Sequence, residues 1–158
     1  MSRLYPRSKA TRPAARAPEP SASRATAVPP FRAAADLTIL LVDDDPGVLA
    51  SLARVLVSEG WRVVRASNGE EALERLTEHQ PDLLITDLSM GAVSGWDLLF
   101  HEHLQRPSLP IFVITALPPP AVGGADRFAS EFFQKPLDLD ALVQAIRRRL
   151  AVPASPQS

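Results

Sequence analysis

The sequence predicts an α/β fold in which five parallel strands alternate with five helices on both faces of one sheet. Short apolar runs bounded by turn residues recur along residues 37–150, and segments with helical spacing follow them. Such runs are typical of parallel strands buried on both faces. Right-handed crossovers then place the helices on both sides of the sheet. The carboxyl ends of all five strands therefore meet at one edge.

The first strand and helix are the most clearly marked elements. The β-rich run 38–42 ends abruptly in three aspartates and a proline. Pro46 suits the first turn of a helix, and Asp45 before it suits the N-cap. We expect this helix to end at Gly60, since glycine is the residue that most often terminates helices.

The remaining elements continue the alternation. The second strand contains Arg62 and Arg65, which indicate an exposed edge of the sheet. The predicted segments are a strand at 61–66, a helix at 70–78, a strand ending at Asp87, a helix from Gly95 to before Pro107, a strand at 109–115, a poor helix around 121–129, a strand at 131–134 and a helix at 139–150 capped by Asp138.

Composition divides the chain into a basic tail and an acidic domain. Residues 1–35 hold seven basic residues and one acid, a net charge of +6, whereas the whole chain carries −1 and the remainder therefore −7. We expect residues 1–35 to be a disordered Ala/Pro/Arg-rich tail, 36–152 to be the ordered domain and 153–158 to be a second tail. The basic tail leaves a nucleic-acid contact or a transit peptide as alternatives.

The composition excludes several other classes of site, because the residues that they need are absent from the chain. It has no cysteine, which rules out disulfides, zinc–thiolate sites and cysteine nucleophiles. No apolar run approaches the roughly 18–20 residues of a membrane span. We therefore expect no membrane association and a cytoplasmic location.

Polar residues follow four of the five strands, at the edge where their carboxyl ends meet. They are Asp43, Asp44, Asp45, Asp87, Thr115 and Lys135. Clustered carboxylates repel one another unless a cation neutralises them, and hard oxygen ligands favour Mg²⁺. Lysine suits phosphate as a point charge. This set indicates phosphoryl transfer to a carboxylate, which gives an aspartyl phosphate.

The ordered part of the chain resembles the receiver domain of two-component response regulators. The matching segments are ILLVDDDPGV, PDLLITDLSM, PIFVITA and FFQKP, with Gly95 eight positions after Asp87. The resemblance implies a flavodoxin-like (βα)5 fold with strand order 2-1-3-4-5. It also implies a phosphoacceptor signalling domain rather than an enzyme.

The resemblance assigns roles to the acids. It implies that Asp87 is the phosphoacceptor and that Asp44 ligates Mg²⁺ directly. Asp43 assists through a bound water, and Asp87 and the backbone carbonyl of Ser89 complete the protein's metal ligands.

It also assigns roles to residues near the last two strands. Lys135 pairs with Asp87 and then with the phosphoryl group, Thr115 is the switch hydroxyl, and Phe132 is the switch aromatic. The peptide bond before Pro136 is expected to be cis, which is otherwise uncommon even before proline.

Two segments depart from the family pattern, and two further positions bear on the lifetime of the phosphate. Gly91 occupies a position where the family usually has proline, which should loosen the loop. The interval from Thr115 to Lys135 is short and rich in proline and glycine, so the fourth helix is expected to be short or deformed. Ser89 and Leu117 occupy positions that tune the lifetime of the phosphate in the family.

The chain ends soon after its last helix, so we expect a single-domain response regulator. It would accept phosphate from a histidine kinase or phosphotransfer protein and then switch a downstream protein target or relay the phosphate. No specific nucleic acid is expected as a partner, and a homodimer is left open.

Two alternatives remain. One is a receiver-like scaffold that works without phosphorylation. The other is a haloacid-dehalogenase-like phosphatase with Asp43 as nucleophile and Asp45 as acid/base; Gly47 departs from that family's pattern, and this reading leaves Asp87 without a role.

Overall fold

The computed structural model describes residues 32–89, 95–116 and 127–150. A single 3-10 turn, Ala34–Asp36, precedes the sheet. Within these ranges the strands and helices are β1 Thr38–Val42, α1 Pro46–Ser58, β2 Arg62–Ala66, α2 Gly69–His79, β3 Leu83–Thr86, α3 Gly95–Gln105, β4 Ile111–Thr115, β5 Glu131–Gln134 and α4 Leu139–Leu150.

The five strands form one parallel sheet in the order β2-β1-β3-β4-β5. This confirms the predicted fold class and the strand order that the resemblance implies. From β1 the chain first adds β2 on one side and then crosses to add β3, β4 and β5 on the other side. β1 and β3 are therefore neighbours in the interior of the sheet, and β2 and β5 are its outermost strands. In open α/β sheets, ligands bind at such a switch point, outside the carboxyl ends of the strands.

The core has two layers, one on each face of the sheet. β1, β3 and β4 are buried along their whole length. Alternate strand residues face opposite sides, since the side-chain period of a strand is two. One cluster joins the sheet to α1 and α4, and the other joins it to α2 and α3. Burial on both faces explains why these strands are almost wholly apolar.

Side-chain caps fix where the helices begin. Asp45 accepts hydrogen bonds from the amides of Gly47 at 2.8 Å and Val48 at 3.3 Å, which confirms it as the N-cap of α1. Asp138 accepts from the amide of Ala141 at 3.0 Å and caps α4 in the same way. Each cap satisfies amides that have no partner inside the helix.

The segment before β1 makes contacts at the end of the sheet where the strands begin, which we call the amino edge; the opposite end is the carboxyl edge. Arg32 forms an ion pair with Asp82 and donates to the backbone carbonyl of Asp36. Asp82 also accepts from the amide of Thr38 at 2.9 Å. Arg32 falls within the predicted tail 1–35, but in the structure it contacts the domain.

Several predictions fall on residues outside the described ranges. They are the basic tail over 1–31, Gly91, Leu117, most of the helix expected around 121–129 with its deformation, and the tail 153–158. Among the described helices, none combines the length and the apolar character needed to span a membrane.

Candidate functional site

The polar residues singled out from the sequence gather at the carboxyl edge of the sheet. Asp43 and Asp87 are the first residues after β1 and β3, Thr115 is the last residue of β4, and Lys135 is the first residue after β5. Adjacent pairing of β1, β3, β4 and β5 brings these four side chains, far apart in sequence, to one end of the fold.

Three carboxylates form the centre of this group. Asp43, Asp44 and Asp87 each offer an oxygen, and these oxygens all lie within 4.8 Å of one another. Asp43 is 3% exposed and Asp87 is 6% exposed, whereas Asp44 lies at the surface. Two of the three charges are therefore largely removed from water, where their mutual repulsion is less well screened.

Lys135 connects the two buried acids. Its Nζ lies 3.1 Å from Oδ2 of Asp43 and 2.9 Å from Oδ2 of Asp87. The lysine backbone is held in turn, because its amide donates to the carbonyl of Thr115 at 2.9 Å. The Lys135–Pro136 peptide bond is cis.

Backbone amides orient the remaining carboxylate oxygens. The amide of Asp45 donates to Oδ1 of Asp43 at 2.9 Å, and the amide of Ser89 donates to Oδ1 of Asp87 at 2.9 Å. Each buried carboxylate thus accepts from an amide at one oxygen and from the lysine at the other, an arrangement that limits rotation of the side chain.

Burial and pairing oppose each other in the pKa values of this group. Burial raises the pKa of Asp43 above its usual value of 3.8, although the Asp45 amide and Lys135 pull it down. Burial lowers the pKa of Lys135, but the hydrogen bonds and charges of Asp87 and Asp43 outweigh it, so the net shift is upward from 10.5. The two upward pKa shifts are compatible. Lys135 faces two carboxylates, which favour its charged form, whereas Asp43 shares its one lysine with a second acid and cannot offset the cost of burial.

The donor set fits a hard divalent cation. All three groups offer carboxylate oxygens, which are the ligands that Mg²⁺ and Ca²⁺ prefer. Three carboxylates and one ammonium leave an excess of negative charge, which a divalent ion would neutralise. The geometry of the cluster is therefore that of a candidate metal site beside a lysine.

The two switch candidates lie on β4 and β5. Thr115 is 3% exposed, and Phe132 is partly buried against the cluster that packs on α2 and α3. The strands that carry them are paired, with Thr115 opposite Gln134 and Val113 opposite Phe132.

One contact of Asp87 was missed in the sequence analysis. Thr86, the last residue of β3, is fully buried, and its Oγ1 donates to the backbone carbonyl of Asp87 at 3.1 Å. The available signal was a hydroxyl residue at the end of an otherwise aliphatic strand, immediately before the acid.

The fold and the site together define an α/β domain with an acidic, lysine-containing cluster at the carboxyl edge of its sheet. A family model described as the response regulator receiver domain matches residues 39–147. The chain belongs to this family. Receiver domains are phosphoacceptor signalling domains of two-component systems rather than classical enzymes, and phosphorylation and Mg²⁺ are typical of them.

Curated relatives share the domain but are longer. The chain is 42% identical to the transcriptional regulatory protein GlrR of Escherichia coli over 110 residues, which are 68% of this chain and 25% of the relative. It is 36% identical to the response regulator MprA of Mycobacterium leprae over 116 residues, 72% of this chain and 51% of the relative. The chain thus spans about a quarter to a half of these relatives.

Solved structures show the same fold. A putative response regulator from Chloroflexus aurantiacus matches with a TM-score of 0.67 and 33% identity, over 73% of this chain and 98% of that one. The response regulator TrrA of Thermotoga maritima, solved in complex with Mg²⁺-BeF, matches with a TM-score of 0.67 and 28% identity, over 72% and 98% of the two chains.

Proposed function

We propose that this domain accepts a phosphoryl group on Asp87 in a Mg²⁺-dependent reaction. The observation that carries the proposal is the setting of the Asp87 carboxylate: it is buried at the end of β3, 2.9 Å from Nζ of Lys135, and belongs to a cluster of three acids. An acid that only capped a loop would need neither the lysine nor the second buried carboxylate.

The donor in this proposal is a phosphohistidine of a histidine kinase or phosphotransfer protein. An oxygen of Asp87 forms a bond to phosphorus as the bond from phosphorus to the donor nitrogen breaks, and the imidazole leaves with its electron pair. The ammonium group of Lys135 lies beside the acceptor oxygen, where it can neutralise charge on the transferred phosphoryl group.

Mg²⁺ would be held by Asp44, by Asp43 through a water, by Asp87 and by the backbone carbonyl of Ser89. When bound, it supplies positive charge for the phosphoryl oxygens. The complex of the Thermotoga relative with Mg²⁺-BeF supports this assignment, as does the all-oxygen donor set of the cluster.

The response to phosphorylation is proposed to pass through β4 and β5. Thr115 would move toward the phosphoryl group and Phe132 would turn inward, so that phosphorylation shifts the balance between two conformations. The outcome is binding of a downstream protein, or onward transfer of the phosphate. The longer curated relatives are regulators, which supports a signalling role without defining the partner.

The test is intact-mass analysis after incubation with acetyl phosphate and Mg²⁺. We expect one hydroxylamine-labile phosphoryl adduct in the unaltered protein and none in Asp87→Ala or after EDTA. Asp82→Asn is the matched control, because Asp82 also lies beside β3 but at the opposite edge of the sheet; it should retain the adduct.

Other outcomes would redirect the assignment. An adduct that survives in Asp87→Ala but disappears in Asp43→Asn would favour the phosphatase alternative with Asp43 as nucleophile. A folded protein that acquires no adduct from acetyl phosphate or from a phosphorylated histidine donor would favour the scaffold.

A further inference from the structure

A residue with a buried hydroxyl, Thr86, immediately precedes the proposed phosphoacceptor in the chain. Thr86 is the last residue of β3, is fully buried, and pairs in register with Val42 of β1 and Val113 of β4. Its side chain faces the cluster that packs on α2 and α3, because Leu84, two residues earlier on the same face, belongs to that cluster.

The surroundings of this hydroxyl are apolar. The row of residues that runs across the sheet at this level on the same face consists of Ala66, Val42, Val113 and Phe132 besides Thr86. A buried hydroxyl costs free energy unless it is hydrogen-bonded, and valine has nearly the same shape and a high preference for strands. Packing alone therefore gives no reason for threonine here.

The hydrogen bond of Thr86 supplies a reason. Oγ1 donates to the backbone carbonyl of Asp87 at 3.1 Å, which fixes the orientation of the peptide group between Asp87 and Leu88. That peptide group lies between the acceptor and Ser89, whose amide donates to Oδ1 of Asp87 at 2.9 Å. The peptide group before Asp87 is held as well, because the amide of Asp87 donates to the carbonyl of Val42 at 3.1 Å.

We infer that Thr86 is a positioning residue for the phosphoacceptor: its hydroxyl holds the Asp87–Leu88 peptide group so that the Ser89 amide and the Asp87 carboxylate keep their mutual orientation. The inference rests on the proposed function of Asp87. Phosphoryl transfer depends steeply on the placement of the attacking oxygen, so a peptide group with more freedom slows the reaction without altering any group that touches the phosphate.

The experiment compares Thr86→Val, which removes the hydroxyl, with Thr86→Ser, which keeps it. Phosphorylation by acetyl phosphate at saturating Mg²⁺ should slow about fivefold in Thr86→Val, the rate ratio that corresponds to the ~1 kcal/mol net contribution of one hydrogen bond. Thr86→Ser should restore most of the rate. Thr38→Val, the same change at a buried strand position at the amino edge, should leave the rate unchanged.

A second readout is independent of phosphorylation. In the metal-free protein, hydrogen exchange of the Ser89 amide, followed by NMR, should be about fivefold faster in Thr86→Val and near normal in Thr86→Ser. Thr38→Val should leave exchange of this amide unchanged.

The inference is overturned if Thr86→Val accepts phosphate at the normal rate, if Ser89 exchange is unchanged, or if Thr86→Ser is as impaired as Thr86→Val. Should the unaltered protein acquire no phosphate at all, the proposed function fails, and Ser89 exchange then decides by itself whether Thr86 positions this segment.

Discussion

The two edges of the sheet both enclose carboxylates, but they neutralise them differently. At the amino edge, Asp82 meets one guanidinium, from Arg32, and one backbone amide, from Thr38. At the carboxyl edge, three carboxylates lie together, and two of them, Asp43 and Asp87, share Lys135, whose Nζ lies within 3.1 Å of both. The Asp82–Arg32 pair is balanced in charge, whereas the three acids and one lysine of the carboxyl-edge cluster keep an excess of negative charge.

This difference separates a structural contact from a candidate binding site. A balanced pair with a hydrogen-bonded amide ties the start of β1 to the start of β3 and stabilises the fold. An unbalanced cluster is unfavourable until a cation binds, and that unfavourable energy is recovered as affinity for the ion. Substitutions at the two edges should therefore have effects of different kinds.

The largest effect is expected at the lysine. Lys135→Met removes the ammonium group beside the Asp87 oxygen that we propose as the acceptor, and the rate of phosphorylation by acetyl phosphate should fall about 100-fold, as when one preorganised charge or donor is lost. Intact-mass kinetics would measure this. Arg147→Met, a cation on α4 that pairs with Glu59, serves as control; a rate for Lys135→Met equal to that of the control would contradict the assignment.

The next effect is on stability at the amino edge. Asp82→Ala removes both the ion pair with Arg32 and the hydrogen bond from the Thr38 amide, and should lower the free energy of unfolding by about 1.5 kcal/mol. Most of this loss is assigned to the amide, since Arg32 is half exposed and its pair is screened by water. Urea denaturation is the measurement. Asp36→Ala, which removes an exposed acid in the same region, should change the free energy of unfolding little. Equal losses in Asp82→Ala and Asp36→Ala would contradict a structural role for Asp82.

The opposite sign is expected at the carboxyl edge. In the absence of divalent ions, Asp43→Asn removes one of the crowded charges while Lys135 keeps Asp87 as a partner. The free energy of unfolding at pH 7 should therefore rise by about 1 kcal/mol. Excess Mg²⁺ should narrow or reverse this difference in the free energy of unfolding, because Mg²⁺ stabilises the unaltered protein more than it stabilises Asp43→Asn. A metal-free variant less stable than the unaltered protein would show that the cluster is already balanced.

The same variant should change the pH dependence of stability. The pKa of Asp43 is raised by burial in the folded state, so the folded protein binds more protons than the unfolded chain as pH rises past 3.8. The contribution of Asp43 to stability therefore declines above that pH and levels off above the folded-state pKa. The stability gained by Asp43→Asn should grow over this interval and then stay constant, which metal-free denaturation at a series of pH values would measure.

The smallest effect is expected where α1 ends. Glu59, the C-cap residue of α1, pairs with Arg147 of α4, and both side chains are about one-third exposed. Glu59→Gln should lower the free energy of unfolding by about 0.5 kcal/mol at low salt and by almost nothing at about 1 M salt. Glu74→Gln, on the exposed face of α2, is the control. A loss that persists at high salt would point to packing rather than charge.

Local patterns in the sequence were sufficient to predict most of the fold. Aliphatic runs with turn residues at each end gave the positions of β1, β3 and β4, because a strand buried on both faces excludes polar residues. Asp45, Pro46 and Asp138 marked helix starts, because capping acts within three residues. The prediction of Arg62 and Arg65 as markers of an edge strand is confirmed by the position of β2.

Contacts between distant segments could not be read from those patterns. Arg32 was counted as part of a tail because its partner, Asp82, lies fifty residues away. The hydrogen bond of Thr86 could not be predicted either, because only the backbone geometry after β3 shows that its hydroxyl reaches the carbonyl of Asp87. The placement of Nζ of Lys135 between two acids likewise depends on the pairing of β3, β4 and β5.

The sequence by itself therefore determined the class of fold, the helix starts and the residue types at the carboxyl edge, since propensity, capping and hydrophobic period are local properties. The tertiary structure decided which acids share Lys135, which of them are buried, and what closes the amino edge. These depend on strand order, register and removal of water, and such properties arise only when segments far apart in the chain pack together.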